Sequence, residues 1–178
     1  PYRRQRQMCI RDRLKGKNKK NAFLLVEIGR AYLDQGKTAE AAEYAQRAKD
    51  INSKCAVAYL LSGDIALNLN DVNKASSDYN QAIYLDEDCS EAYFKYAQVY
   101  KGVDPQLSLD MLMRLQSKTP EDNRISKELA DVYYTMGQYG KAKEAYENYL
   151  KVGTPTEQDY TRYAMLLYLN KDYAQSLD

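Results

Sequence analysis

The sequence predicts an all-α chain, a right-handed α-solenoid of helix–turn–helix hairpins. Three observations predict it. Apolar and small residues recur at i, i+3, i+4 and i+7, which puts them on one face of a helix. The same stripe returns every 33 or 34 residues. Glycine, asparagine and aspartate interrupt the stripes at regular places, where a helix must stop. A hairpin of this size cannot bury its own apolar faces, so copies must stack.

The copies align on one small residue in each first helix: Gly29, Gly63, Ala97, Ala130 and Ala164. Around these stand Leu25, Ile28 and Tyr32, then Tyr59, Ser62 and Ala66, then Tyr93, Tyr96 and Tyr100. Ser126, Leu129 and Tyr133 follow, and last come Tyr160, Tyr163 and Leu167. A small side chain at the aligned site lets two helix backbones approach. The second helices are expected to bury Ala41, Ala45 and Ala48, then Ala75, Tyr79 and Ala82, then Leu109, Met113 and Gln116, then Ala142, Tyr146 and Tyr149. The fifth second helix breaks off near Ser176.

Turns within the hairpins are expected at Gly36-Lys37, Asn70-Asp71, Gly102-Val103-Asp104, Gly137-Gln138 and Asn170-Lys171-Asp172. Asp104-Pro105 puts a cap residue before a proline at the first helical position. Thr119-Pro120-Glu121-Asp122 and Thr154-Pro155-Thr156-Glu157 are expected to repeat that logic at two joints, the second as a capping box.

A hairpin of 34 residues with this small and aromatic pattern resembles the tetratricopeptide repeat family. The resemblance rests on the Gly/Ala series, on Tyr32, Tyr100 and Tyr133, and on Ala41, Ala75 and Ala142, and it covers about residues 22–178. Repeats are expected at about 22–55, 56–89, 90–122 and 123–156, with a partial one at 157–178 and a leader at 14–21. Departures exist. Tryptophan is absent, Ala66 and Leu167 replace the usual tyrosine, and Pro120 and Pro155 only approximate the joint proline. The third repeat is the weakest, with Leu109 and Gln116 where alanine is usual.

The resemblance implies a non-catalytic protein–protein interaction scaffold that holds a partner peptide or helix on a concave surface of first helices. Candidate groove residues are those on the first-helix face turned away from the stripe: Glu27, Arg30, Leu61, Asp64, Lys95, Gln98, Lys127, Asp131, Arg162 and Met165. Lys95, Lys127 and Arg162 are expected to draw acidic side chains. The off-stripe Tyr134 and Tyr168 could join a recognition surface. Family members that hold chaperone C-termini use a clamp of Lys, Asn, Asn, Lys and Arg. The corresponding residues are Val26, Arg30, Leu61, Glu91 and Lys95, or one repeat on Leu60, Asp64, Lys95, Arg124 and Glu128. Neither set supplies the clamp, so no chaperone tail is expected. Two rivals stand beside the scaffold reading: a scaffold segment of a larger enzyme or signalling protein, and an array that packs against its own copies.

Composition narrows the chemistry. The chain has no histidine, which removes histidine bases, Ser-His-Asp triads and most zinc or haem ligation. No Gly-rich phosphate loop is present, so no cofactor is expected. Asp86-Glu87-Asp88 is an acidic cluster, but Glu91 stands where a calcium loop needs glycine, and it is read as an exposed joint with Asp88 capping the next helix. Cys55 and Cys89 are one repeat apart, too far for a disulfide, and are read as small semi-buried residues. No run approaches the roughly 18 apolar residues of a membrane span.

The net charge of +1 hides an asymmetry: residues 1–20 carry nine Lys/Arg against one Asp, and residues 21–178 carry 17 basic against 24 acidic residues. Any case for nucleic acid rests on the first segment, and the repeats argue against it. Met8-Cys9-Ile10-Arg11-Asp12 is what ATG TGT ATA AGA GAC encodes, a string that resembles a transposase end used in sequencing libraries. Residues 1–13 are therefore expected to be translated adapter and are set aside from the fold. The chain is expected to be a fragment of a longer microbial protein, because it stops inside a helix without a solvating cap. Localisation stays open between cytoplasm and cell envelope.

Overall fold

A computed structural model describes residues 21–120 and 122–171. The adapter-like leader at 1–13, the basic run up to Lys20, Glu121 of the Thr119–Asp122 joint, and the expected break near Ser176 lie outside the described residues. Among the described residues there are nine helices and no strand. They are α1 (Ala22–Leu33), α2 (Thr38–Ile51), α3 (Ala56–Asn68), α4 (Val72–Leu85), α5 (Ser90–Tyr100), α6 (Pro105–Lys118), α7 (Asn123–Thr135), α8 (Tyr139–Val152) and α9 (Glu157–Leu169). The described residues divide into two compact units, with the boundary between Ala92 and Tyr93.

In the first unit α1 pairs with α2 and α3 with α4, and both α1 and α2 also pack on α3. The core joins Leu25 and Val26 to Ala41, Ala45 and Ala48, and to Ala58, Leu61 and Ile65. The alanines of α2 keep that helix thin where α1 crosses it. A methyl group on Gly29 would lie 2.6 Å from Leu61 Cδ2, and one on Gly63 would lie 2.4 Å from the Tyr79 ring. These two positions are small because a neighbour already fills the space. Tyr79 is fully buried, and its hydroxyl donates to Asp64 at 2.7 Å, which satisfies its polar tip.

In the second unit α7 pairs with α8, α6 packs on α7, and α9 packs on α8. Ala130, Ala142, Tyr146, Tyr149 and Leu166 form its core, with Tyr133 and Tyr163 against it. Ala97 is buried as the small-residue series predicts, but Ala164 is only half-buried and Tyr160 is exposed.

The third hairpin departs from expectation. Its second helix α6 buries Ser108, Leu109, Leu112 and Leu115, while Met113 is 52% exposed and Gln116 is also exposed. The true register lies one residue earlier, with Ser108 in the place of Ala41, Ala75 and Ala142. Gly29 to Ala41, Gly63 to Ala75 and Ala130 to Ala142 each span twelve residues, but Ala97 to Ser108 spans eleven. The Ser108 hydroxyl donates to the Ala97 carbonyl at 2.7 Å, so a polar side chain is tolerated at the closest helix contact.

The turns explain the missing residue. Gly36, Asn70, Gly137 and Lys171 have φ between 60° and 74°. The first three close the Schellman pattern, with N–H groups of Lys37, Asp71 and Gln138 donating back to Tyr32, Ala66 and Tyr133. The third turn has no left-handed residue. Asp104 instead donates its N–H to the Tyr100 carbonyl at 2.8 Å and accepts the Leu107 N–H at 3.0 Å, and Pro105 opens the next helix.

The other two joints differ from their expected form. Thr119 ends α6, and Asp122 caps α7 by accepting the Arg124 N–H. Neither Pro120 nor Pro155 is a first helical residue. The capping box is real but sits two residues later, between Thr156 and Asp159. The reason is that Asp159, not Glu157, is the acid held at that position by the tyrosines of α8.

Candidate functional site

The first-helix face of the first unit is largely occupied by its own contacts. Glu27 and Arg30 pair with one another at 3.2 Å, and Asp64 accepts the Tyr79 hydroxyl. Leu61, expected in the groove, is a core residue with no exposure. Helix α3 is packed by α1, α2 and α4, so its face turned away from the stripe is covered too. Its near-continuous apolar sequence was the available signal, since a helix apolar all round is buried.

The second unit carries a cavity of about 360 Å³. It is lined by Lys101 just after α5, by Ala130, Asp131, Tyr134 and Thr135 of α7, by Tyr146 of α8, and by Arg162, Met165 and Leu166 of α9. Ala130, Tyr146 and Leu166 are buried and form an apolar floor. Tyr134 and Met165 are exposed at 40% and 58% and form an apolar rim. Of the expected groove residues, Asp131, Arg162 and Met165 come together here, and Tyr134 joins them.

Charges cross the cavity wall. Lys101 Nζ lies 2.9 Å from Glu128 and 3.0 Å from Asp131. Burial disfavours the Lys101 ammonium, but the hydrogen bonds and charge of the two carboxylates outweigh it and hold its pKa above the usual lysine value. Arg162 approaches the other oxygen of Asp131 at 3.8 Å. Gln98, another expected groove residue, donates to Glu128 at 2.8 Å, and Lys95 is half-buried.

Lys127 does not face a groove with a spare charge. Its Nζ lies 2.6 Å from Asp159 Oδ1 and 5.2 Å from the Tyr149 ring centre. Asp159 is 2% exposed and also accepts the hydroxyls of Tyr146 and Tyr149 and both the N–H and hydroxyl of Thr156. Burial alone would raise its pKa, but Lys127, Thr156 and Tyr146 prevail and hold it well below the usual carboxylate range. Desolvation, then the hydrogen bond to Asp159, pushes the Tyr146 phenol far up. Lys127 is thus already engaged by Asp159. Sequence reading missed Asp159 because an acid inside an apolar stripe looks like an error of register. It missed Lys101 because that residue falls just beyond the helix.

Asp86 accepts the Asp88 N–H at 3.0 Å, a turn within the acidic cluster. Among the described residues no group of three or more Cys, Asp or Glu is placed to hold a metal, and no helix is long and apolar enough to cross a membrane. Cys55 is buried and Cys89 half-buried, both as free thiols, and burial raises the pKa of Cys89.

The tetratricopeptide repeat family matches residues 24–55, 56–89 and 128–152, together half of the chain, and the chain belongs to that family. Its fold class is accordingly an all-α helical-repeat solenoid, and its class is that of protein-interaction scaffolds. No curated protein matches the chain. Among solved structures it is similar to MamA 41-end from Desulfovibrio magneticus RS-1, at 18% identity and a TM-score of 0.78, covering 91% of this chain and 90% of that one. It is similar to pilF of Pseudomonas aeruginosa at 21% identity and a TM-score of 0.81, over 90% and 74% of the two chains. YrrB, described as a TPR protein with an unusual peptide-binding site, matches at 13% identity and a TM-score of 0.74, over 94% and 87%. At these identities the likeness is one of fold.

Proposed function

We propose that this chain is a peptide-binding scaffold whose second unit seats an apolar side chain of a partner in the cavity between α7 and α9. The observation that carries this reading is the cavity itself: about 360 Å³, apolar at its floor and rim, with opposite charges fixed in its wall. That volume suits one large side chain of a peptide and falls at the low end for a small-molecule pocket. Exposed Tyr134 and Met165 at the mouth supply rigid aromatic and adaptable apolar contact, the kinds of residue that anchor interfaces. The cavity is walled by helices, so most of the ordering falls on the partner. The peptide-binding site named for YrrB supports the same mode of use in a chain of similar fold.

A displayed library of random dodecapeptides selected on the full chain tests the reading. Peptides enriched on the wild type should lose at least about ten-fold in affinity against Met165→Lys, which drives a charge into the apolar mouth. Equal binding by the two proteins would place the peptide elsewhere.

A further inference from the structure

The cavity holds an anion of its own, and the groups around it define what a partner must bring. Asp131 stands between two cations, Lys101 at 3.0 Å from Oδ2 and Arg162 at 3.8 Å from Oδ1. The first is a hydrogen bond. The second is not, because N–H···O bonds run about 2.7–3.2 Å. Lys101 is already matched twice, by Asp131 and by Glu128 at 2.9 Å. The side chains of Glu128 and Asp131 are mostly covered, at 14% and 25% exposure, whereas Arg162 is 60% exposed. Among the described residues that loose approach to Asp131 is the one ion pair Arg162 makes. The accessible, under-used charge at the mouth is therefore cationic, and it is a planar fork that fits a carboxylate with two parallel hydrogen bonds.

We propose, building on the cavity as a peptide site, that it selects a segment with an acidic side chain beside the apolar one. The apolar side chain enters the cavity and the carboxylate takes Arg162. Asp131 stands beside Arg162 in the free protein and competes with the partner for it. The long-range field points the other way, since residues 21–178 carry more acids than bases. Salt screens that field beyond about 8 Å at physiological ionic strength, so the guanidinium at contact decides. Apolar Met165 and Leu166 line the same cavity, so a partner seated there would cover Arg162 and strengthen the pairing.

This role has an unusual signature. Removing the charge of Asp131 should tighten binding, whereas loss of a merely structural acid would weaken it. The test uses full-length wild type, Asp131→Asn and Arg162→Gln, with the dodecapeptides enriched on the wild type and the same peptides carrying Gln or Asn for Glu or Asp. Affinity is read by fluorescence anisotropy. Enriched peptides should carry Asp or Glu next to Leu, Met, Phe or Tyr. Arg162→Gln and neutralisation of the peptide should each weaken binding about five-fold, and Asp131→Asn should strengthen it by a similar factor. Enriched peptides that are neutral or basic beside the apolar residue, or acidic ones indifferent to Arg162→Gln, overturn the proposal. So does weaker binding by a folded Asp131→Asn protein. If circular dichroism shows that variant unfolded, the Arg162 and peptide arms decide alone. Peptides that lack a carboxylate yet are lost on Met165→Lys sink this inference and leave the cavity reading standing. A set indifferent to Met165→Lys sinks both.

Discussion

Asp159 shows how much one buried side chain can organise. Its carboxylate accepts from Lys127, Tyr146, Tyr149 and Thr156, and it joins α9 to both α7 and α8. Breaking a buried pair costs about 3–5 kcal/mol, and the partial exposure of Lys127 reduces that because the ammonium can turn to water. Asp159→Asn should therefore destabilise the protein by about 2 kcal/mol in urea unfolding at neutral pH. A change under 0.5 kcal/mol, roughly the scatter of surface substitutions, would show that the hub contributes little. The sign of the pH effect follows from the depressed pKa. The stability Asp159 confers is complete above the unfolded carboxylate value of about 3.9, and it is lost as pH falls through the lower folded value. The acid limb of the stability profile should flatten in Asp159→Asn.

At the scale of elements, most of the fold was legible. Period, stripe and the small-residue series are local patterns, and Gly29, Gly63, Ala97 and Ala130 sit where close helix packing demands them. The shifted register of α6 was hidden because Gly102-Val103-Asp104 has the composition of the other turns but not their backbone. A one-residue deletion leaves no compositional trace; it shows only as the 33 residues from Ala97 to Ala130 where the other repeats span 34, and the buried Ser108 places it in the turn before α6. The candidate site was half legible. Asp131, Arg162 and Met165 fall together at one cavity, whereas Leu61 is buried and Lys127 is paired with Asp159, because burial and pairing depend on neighbouring helices that spacing alone does not weigh. The turn difference is testable. Gly137 has φ 71°, so Gly137→Ala should cost about 1 kcal/mol. Gly102 has ordinary φ and open space around its Cβ direction, so Gly102→Ala should gain about 0.4–1 kcal/mol by restricting the unfolded chain. Thermal or urea midpoints moving the same way in both variants would refute the assignment of the turns.

For the molecule as a whole, the absence of histidine leaves no ordinary side chain that titrates near neutrality. Lys101 and Lys127 are held above the usual lysine value, so the stability they confer is complete below the unfolded value of about 10.4 and is lost only as pH rises through the folded values. Asp159 acts only on the acid side. Urea midpoints at fixed ionic strength should thus be flat between about pH 5 and 9, with losses beyond both ends. A step inside that window would mean that a group other than Asp159, Lys101 and Lys127 governs stability.

The Asp159 hub also bears on how such a chain can be recombined. Two tyrosines of one hairpin, and a lysine of its first helix, are completed by an acid from the hairpin that follows. A cut placed at the joint near Thr154 would leave two phenols and an ammonium seeking a partner that departed with the other piece. The exchangeable cassette is therefore not one hairpin but a hairpin plus the opening turn of its successor. Grafts, permutations and shortened versions should be designed on that offset boundary, with Thr156 and Asp159 travelling with the helices they complete.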